Sequence, residues 1–432
     1  MSKKLIFIQL NEINFDLVEK YIVGSGKDKF PNLSYIKNFY NNFTTFSENE
    51  YKNLEPWIQW ASVHLGKEYN SHQIFRLGDI INHPKQEQIF EKIEAKGFKV
   101  GAISPMNAAN KLKNPTYFIP DPWTNTKPDN SGFSKRISLM LKQSVNENAS
   151  KKLSINSIIT IFEIIFRTFN YRKTLFLIRL VFSLINKPWK KSLVLDYLIH
   201  NLHLYFLKKK IVNFSSIFLN AGAHIQHHYL YNTKHIENLP KNPNWYIKSS
   251  SDPIEDMLFI YDKIIGDYIK LSKNSTQLVI ATGLSQVPYH ETKFYWRLKN
   301  HEGFLKKIGC PFSRVIPRMS RDFLIEFSNI EAAKNCQRLL ESYKMRSDDE
   351  IIFKVDNNGD SLFVELIYSN PIKQNDMIYS QIDQNREVNN FKSYLAFVAI
   401  KNGEHNGIGY VTSNFNLNLG KKIHLKEVCL IV

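Results

Sequence analysis

Short apolar runs alternate with helical segments near both ends of this 432-residue chain, and that rhythm constrains the fold more than any other feature. Residues 5–10, Leu-Ile-Phe-Ile-Gln-Leu, read as a buried strand, with a helical stretch following over residues 15–21. Another helix starts at residues 30–33, with Pro31 early, where its missing N–H costs little. Residues 88–96 read as a helix closed by Gly97, and residues 99–103 as the next strand. Residues 117–130, with Pro120, Pro122 and Pro128, read as loop. Strand character returns at residues 211–219 and 277–281, on either side of a long helix at 254–271. Strand alternating with helix is the pattern of an α/β fold: a mostly parallel central sheet flanked by helices.

Two stretches break the rhythm. Residues 131–210 read as a basic helical insert. Residues 311–390 read as a small α+β insert: a strand at 322–327, a helix at 330–343, and strands at 351–355 and 361–366 around the turn Asp356-Asn-Asn-Gly-Asp360. The expected order is core at 1–130, helical insert at 131–210, core at 211–310, α+β insert at 311–390, and a final core segment at 391–432. The last segment holds a strand at 394–400 and a loop, Lys401-Asn-Gly-Glu-His-Asn-Gly407.

Charge is concentrated in the first insert. The chain carries a net charge of +17, and residues 135–210 hold fifteen Lys and Arg against Glu147, Glu163 and Asp196. The same region contains apolar runs at 155–169 and 174–185, each too short to span a bilayer and interrupted by charge. Helices of this kind suit peripheral contact with an anionic membrane surface. The rival reading is a helical cap with its apolar faces on the core and its Lys and Arg in water. Nucleic acid is not an expected partner, because the basic residues interleave with aliphatic bulk and not with an aromatic stacking platform. Hydrophobic content of 43% and aromatic content of 13% exclude a mainly disordered chain. Met1-Ser-Lys-Lys4 runs straight into the first strand with no apolar leader, and Cys310, Cys336 and Cys429 show no disulfide framework. Both point to a reducing, cytoplasmic setting, in solution or at the inner face of the membrane.

The strand ends carry the residues of interest. Leu10 is followed by Asn11 and Glu12. A helix begins at Glu55-Pro56-Trp57-Ile58-Gln59-Trp60, with Ser62 inside it. Asn220-Ala-Gly-Ala-His224 is followed by Ile225-Gln226-His227-His228. Strand 277–281 leads into Thr282-Gly283-Leu284, and His405-Asn406-Gly407 lies near the C-terminus. This set resembles the alkaline phosphatase superfamily, nearest its type I phosphodiesterase and sulfatase-like branches, as a divergent member with an altered metal site. In that superfamily the first strand ends in a metal-binding Asp, a Thr or Ser nucleophile precedes a helix that ends in Thr-Gly, and Asp-His-Gly closes a later strand. The resemblance places Asn11 at the Asp, Glu55 at the nucleophile, and Gly283-Leu284 at the Asp-His pair. His224 and His405 fall at metal-ligand histidines. Two divalent ions need carboxylates, and neutral amides replace them poorly. The expected cofactor is therefore none, or one divalent metal such as zinc on His224, His228 and His405.

The candidate catalytic residues are Glu12, Glu55, His224 and His405. Candidates for substrate binding are Asn11, Trp57, Gln59, Asn220, Gln226, His227 and Asn406, with the indole of Trp57 suited to a sugar face. Arg76, Asp79, Asn107 and Arg318 read as surface or structural pairs. Histidine near neutral pH can pass protons without any metal, with Glu12 or Glu55 beside it. The resemblance implies a hydrolase or transferase acting on phosphate-linked or sugar-linked substrates. A small-molecule, nucleotide-linked or lipid-linked glycan precursor used in cell-surface glycan assembly fits the basic apolar insert. The competing reading is a non-catalytic binding or scaffold protein on the same fold, since fold alone does not confer activity.

Overall fold

The computed structural model describes residues 4–39, 41–146, 153–272, 276–318, 321–383, 386–416 and 420–432. Met1-Ser2-Lys3 and the Glu147, Lys151 and Lys152 portion of the basic segment lie outside the described residues. The chain divides into a larger unit (Met1–Ser144, Leu153–His290 and Asn402–Val432) and a smaller one (Val145–Lys152 and Glu291–Lys401).

The larger unit starts with β1 (Lys4–Leu10), α1 (Phe15–Ser25), α2 (Pro31–Ile36) and β2 (Asn41–Phe46). Helices α3 (Pro56–Leu65), α4 (Tyr69–His72) and α5 (Ile89–Ala95) lead to β3 (Val100–Ile103) and β4 (Tyr117–Ile119). β4 replaces part of the loop expected at 117–130. Then come α6 (Gly132–Asn146), α7 (Ile155–Arg167), α8 (Tyr171–Ser183), α9 (Lys191–Lys209), β5 (Phe214–Leu219), α10 (Ala221–Tyr229), α11 (Pro253–Ser272) and β6 (Thr276–Ala281).

A long strand, β7 (Ser285–Leu298), carries the chain into the smaller unit, which holds α12 (His301–Lys307), β8 (Arg314–Pro317), β9 (Asp322–Glu326), α13 (Ile330–Glu341) and β10 (Tyr343–Met345). Its remaining short strands are β11 (Phe353–Asn357), β12 (Ser361–Leu366), β13 (Ile378–Ser380) and β14 (Glu387–Val388). β15 (Leu395–Asn406) returns to the larger unit, which ends with β16 (Ile408–Ser413), β17 (Lys422–His424) and α14 (Val428–Ile431).

Eight strands form the central sheet in the order β17-β2-β16-β6-β1-β5-β3-β4. β1 lies between β6 and β5 and runs parallel to both, and β3 continues the parallel set. β16 is antiparallel to β6 and β2. Alternation along each strand sends side chains to opposite faces. Ile6, Ile8 and Leu10 join one apolar cluster with α9, α10 and α11, while Phe7 joins a second with α3 and α5. The sheet is thus covered by helices on both sides, and the fold is α/β with a mostly parallel sheet.

In the smaller unit β11, β12, β9 and β8 form an antiparallel sheet and α13 lies alongside in sequence. The turn between β11 and β12 has Gly359 at φ +88°, a backbone that strains residues bearing a Cβ. The cysteine expectation is corrected here. Cys310 and Cys336 form a disulfide, with Cα atoms 5.5 Å apart, and only Cys429 is free. Pairing across 26 residues depends on how α12 and α13 fold back, which spacing alone does not reveal. The absence of a disulfide framework no longer supports a reducing setting.

Two buried histidines make the larger unit sensitive to acid. His64 on α3 and His72 on α4 are almost fully enclosed. Burial pushes the His64 imidazole down to about 3; burial, then the charges of His83 and Lys67, take His72 down to about 4. The unfolded chain protonates both rings near pH 6.5, so their contribution is complete above that pH and is lost as pH falls towards the folded values. At ~1.4 kcal/mol per pH unit per ring, the two together remove about 4 kcal/mol by about pH 5. Urea unfolding at pH 7.5 and pH 5 measures this, and equal midpoints would contradict it.

Candidate active site

Three parallel strands end side by side, and each hands its next residues to one place. The main-chain N–H of Asn11, after β1, bonds to Leu219 O at the end of β5 (3.0 Å). The N–H of Glu12 bonds to Thr282 O beyond β6 (3.0 Å). Open α/β sheets bind ligands at this carboxyl edge. Glu12 has φ +62°, a conformation that a residue with a side chain holds only when its surroundings fix it.

Several side chains provide that fixing. Gln226 of α10 donates to Glu12 O (2.8 Å) and accepts from Asn14 N (3.2 Å). Gln286 of β7 donates to a Glu12 carboxylate oxygen and to Ala223 O. The amide of Asn11 donates to the other Glu12 oxygen (2.9 Å) and to Asn220 Oδ1 (2.8 Å). Asn220, Gln226 and Asn11 therefore position the Glu12 turn. Asp196 of α9 is the partner that starts α10, accepting from Ala221 N (2.8 Å) and Asn220 N (3.3 Å). Burial pushes the Asp196 carboxyl up to about 6, against the pull of those N–H groups.

The Glu12 carboxylate meets two imidazoles. Its Oε2 lies 2.9 Å from His227 Nε2 and 3.3 Å from His405 Nε2, and the two Nε2 atoms are 3.3 Å apart. Glu12 is 2% exposed, and burial alone would raise its carboxyl; the charges and hydrogen bonds of His227 and His405 outweigh it and hold the group far below the usual range. Glu55 opens α3 without capping it. Its carboxylate lies 3.7 Å from His405 Nδ1, an ion-pair distance longer than a direct hydrogen bond.

Glu12, Glu55 and His405 thus share one site with His227. His224 does not enter this contact set. Helical phase explains the choice: residues 224 and 228, four apart, share a face, and their rings meet at 4.6 Å, while His227 turns towards Glu12. Burial, then the charges of His227 and Lys191, lower the His224 imidazole to about 4, so it is neutral at neutral pH. The triad Glu12, His227 and His405 replaces the expected ligand set of His224, His228 and His405 as the group among the described residues able to share an ion. Asn406 accepts from Ile408 N (3.2 Å) and shapes the β15–β16 turn. Trp57 donates to Phe75 O (3.0 Å) and buried Gln59 to Asn53 O (2.7 Å), so both brace the loops around α3. Ser62 contacts His72 Nε2 at 3.0 Å, but His72 Nδ1 accepts from Ile74 N, so Nε2 carries the proton and cannot take one from the serine.

Trp60 explains the altered strand ends. Its ring is fully buried, and its N–H donates to Asn11 Oδ1 (2.8 Å). Gly283 sits under the ring at φ +75°, where an added Cβ would come within 3.0 Å of it. The indole fills the space beside Gly283, and Asn11 spends its oxygen on the indole and its amide on Glu12 and Asn220. Sequence reading named Trp60 at the start of its helix without a role at the site, and missed Gln286 and Asp196. Gln286 at least lies beside the Thr282-Gly283-Leu284 segment.

The three donors fit a single small ion. Zinc–nitrogen bonds of ~2.0–2.1 Å at a tetrahedral centre place ligand atoms ~3.3 Å apart, close to the three separations seen. The outer contacts fit as well: Gln286 and Asn11 hold the carboxylate, and Glu55 faces the far nitrogen of His405.

Comparison with protein-family models finds no match, and comparison with curated proteins finds none. Among solved structures, the chain is similar to phosphonoacetate hydrolase from Sinorhizobium meliloti 1021 in complex with phosphonoacetate (TM-score 0.42, 11% identity, 100% of this chain and 95% of that one). It is also similar to murine ectonucleotide pyrophosphatase/phosphodiesterase 5 (TM-score 0.39, 10% identity, 99% and 94% covered) and to alkaline phosphatase from the Antarctic bacterium TAB5 (TM-score 0.39, 11% identity, 100% and 97% covered). At these scores the likeness says nothing about activity.

Proposed function

We propose that this protein is a hydrolase or transferase acting on phosphate-linked substrates, with one centre built from Glu12, His227, His405 and Glu55. The observation that carries the reading is the meeting of two imidazoles on one buried carboxylate at the carboxyl edge of the sheet. A strained, buried carboxylate shared by two imidazoles at a ligand-binding sheet edge is the arrangement that functional sites favour.

Glu12, His227 and His405 would hold one divalent metal such as zinc. Such an ion supplies a Lewis acid that draws charge from a phosphoryl oxygen. The charges and hydrogen bonds of His227 and His405 hold the Glu12 carboxyl well below the ordinary carboxylate range, so it anchors the site. Glu55 is about one-third exposed at the rim and is the carboxylate placed to accept a proton from the attacking hydroxyl. His405 lies between the two carboxylates and keeps both in register. Without a metal, the same imidazoles serve as acid–base groups around Glu12.

The substrate we favour is a nucleotide-linked or lipid-linked glycan precursor presented at an anionic membrane face. The basic segment at 135–210 supports that choice. Among the described residues, no helix is long and apolar enough to cross a membrane.

Metal analysis of the purified chain tests the site. One divalent ion per chain is expected, with affinity falling more than tenfold in His227→Ala and His405→Ala and little in His224→Ala. Equal metal content in all three variants sinks the metal reading. No turnover of any phosphodiester or pyrophosphate by the intact chain would favour the binding-protein reading.

A further inference from the structure

α7 is built the wrong way round for a helix that caps a core. Its inner face carries Ser157 and Thr160, both buried, together with Ile164. Its outer face carries Phe162 and Phe166, 66% and 83% exposed. A surface helix of a globular protein normally does the reverse. The inversion is fully hydrogen-bonded: Ser157 donates to Gln143 of α6 and Thr160 to Asn156 O. α8 anchors itself through buried Leu177 and Leu180, yet Phe182 and the following Ile185 are 68% and 81% exposed. Phe169 in the link is exposed as well. An apolar surface of this extent marks a contact site.

Charge identifies the occupant. From residue 153 to 187 the only acid is Glu163, against Arg167, Arg172, Lys173, Arg179 and Lys187. Glu163 is taken up by Arg136 and Arg167. Lys173 and Lys187 pair with Asp267 and Asp256 of α11, while Arg172 and Arg179 are exposed. The outward surface therefore combines bulky apolar side chains with positive charge, the pattern of helices that lie in a headgroup plane. We propose that the outer faces of α7 and α8 dock on an anionic bilayer, with Phe162, Phe166 and Phe182 entering the acyl boundary and Arg172 and Arg179 meeting lipid phosphates. The proposal deepens the membrane part of the proposed function and does not depend on its chemistry.

Sedimentation of the intact chain with phosphatidylcholine vesicles, with and without phosphatidylglycerol, tests it. Binding is expected with phosphatidylglycerol and should weaken as salt rises. Replacing Phe162, Phe166 and Phe182 together by Ser should weaken binding at low salt by more than about tenfold. Arg172→Glu with Arg179→Glu should abolish the preference for phosphatidylglycerol. None of these side chains is in the buried core, so circular dichroism should be unchanged. Indifference of the intact chain to anionic vesicles overturns the proposal, as does full binding by the triple variant. A dimer that the triple variant dissociates, without vesicle binding, would instead identify a second copy as the occupant. Metal content is measured on the same proteins. Retained metal with failed vesicle binding rejects the docking face alone, and the converse rejects the metal site alone.

Discussion

Glu12→Gln should lower turnover of a phosphoester substrate by at least about 10–100-fold, the scale of losing a group that holds a metal site together. The change keeps shape and removes charge. In the native site the carboxylate accepts from Asn11 and Gln286 and faces His227 and His405. An amide offers one acceptor where two are needed, and turns its own N–H groups towards donors. It also leaves two imidazoles without their counter-charge, so either a metal or a shared proton is lost. Some of the loss will be structural, since an unsatisfied buried group costs about 1–3 kcal/mol. Glu12→Asp separates the two effects: it keeps the charge on a shorter arm and should retain part of the metal affinity. Turnover by Glu12→Gln equal to that of the parent would remove the cluster from the mechanism.

Trp60→Ala should destabilise the larger unit by about 3–5 kcal/mol. The ring is fully buried between Phe7, Phe218 and the strand end at Gly283. Removing it opens a cavity and orphans Asn11 Oδ1, which then loosens the residue holding Glu12. Trp60→Phe isolates the second part: most of the bulk remains and only the indole N–H is lost, for about 1–3 kcal/mol. Urea unfolding of the three proteins reads both values. A loss below about 1 kcal/mol in Trp60→Ala would show that the ring is not the filler described here. The same contact predicts that Gly283→Asp will not recover a metal ligand by itself, because its Cβ meets the indole.

The strands that carry the site were legible because parallel strands buried on both faces read as continuous apolar runs. β1, β3, β5 and β6 fall within a few residues of their expected positions. β2, β16 and β17 were not found. β2 is Asn-Asn-Phe-Thr-Thr-Phe and β16 begins Ile-Gly-Tyr, so neither has the apolar density of a central strand. They exist because β6 offers an open edge that β16 pairs with. The smaller unit was visible through its turn, Asp356-Asn-Asn-Gly-Asp360, because that composition suits a tight reversal wherever it stands.

What the sequence determined by itself is the chemistry at each strand end: Asn11-Glu12 after β1, Gly283-Leu284 after β6, a cluster of histidines after β5, and a basic apolar stretch before it. Residue identity sets charge, donor count and bulk, and those survive any fold. Tertiary structure alone decided which of these groups meet. A 3.6-residue helical period turns His227, and not His224, towards Glu12, and the long excursion to β15 delivers His405 to the same oxygen. The same period aims Phe162 and Phe166 outward and Ser157 and Thr160 inward. Two cysteines 26 residues apart become partners through the path of the chain between them. Each outcome depends on direction in space, and a string of residues specifies direction only once the chain has packed.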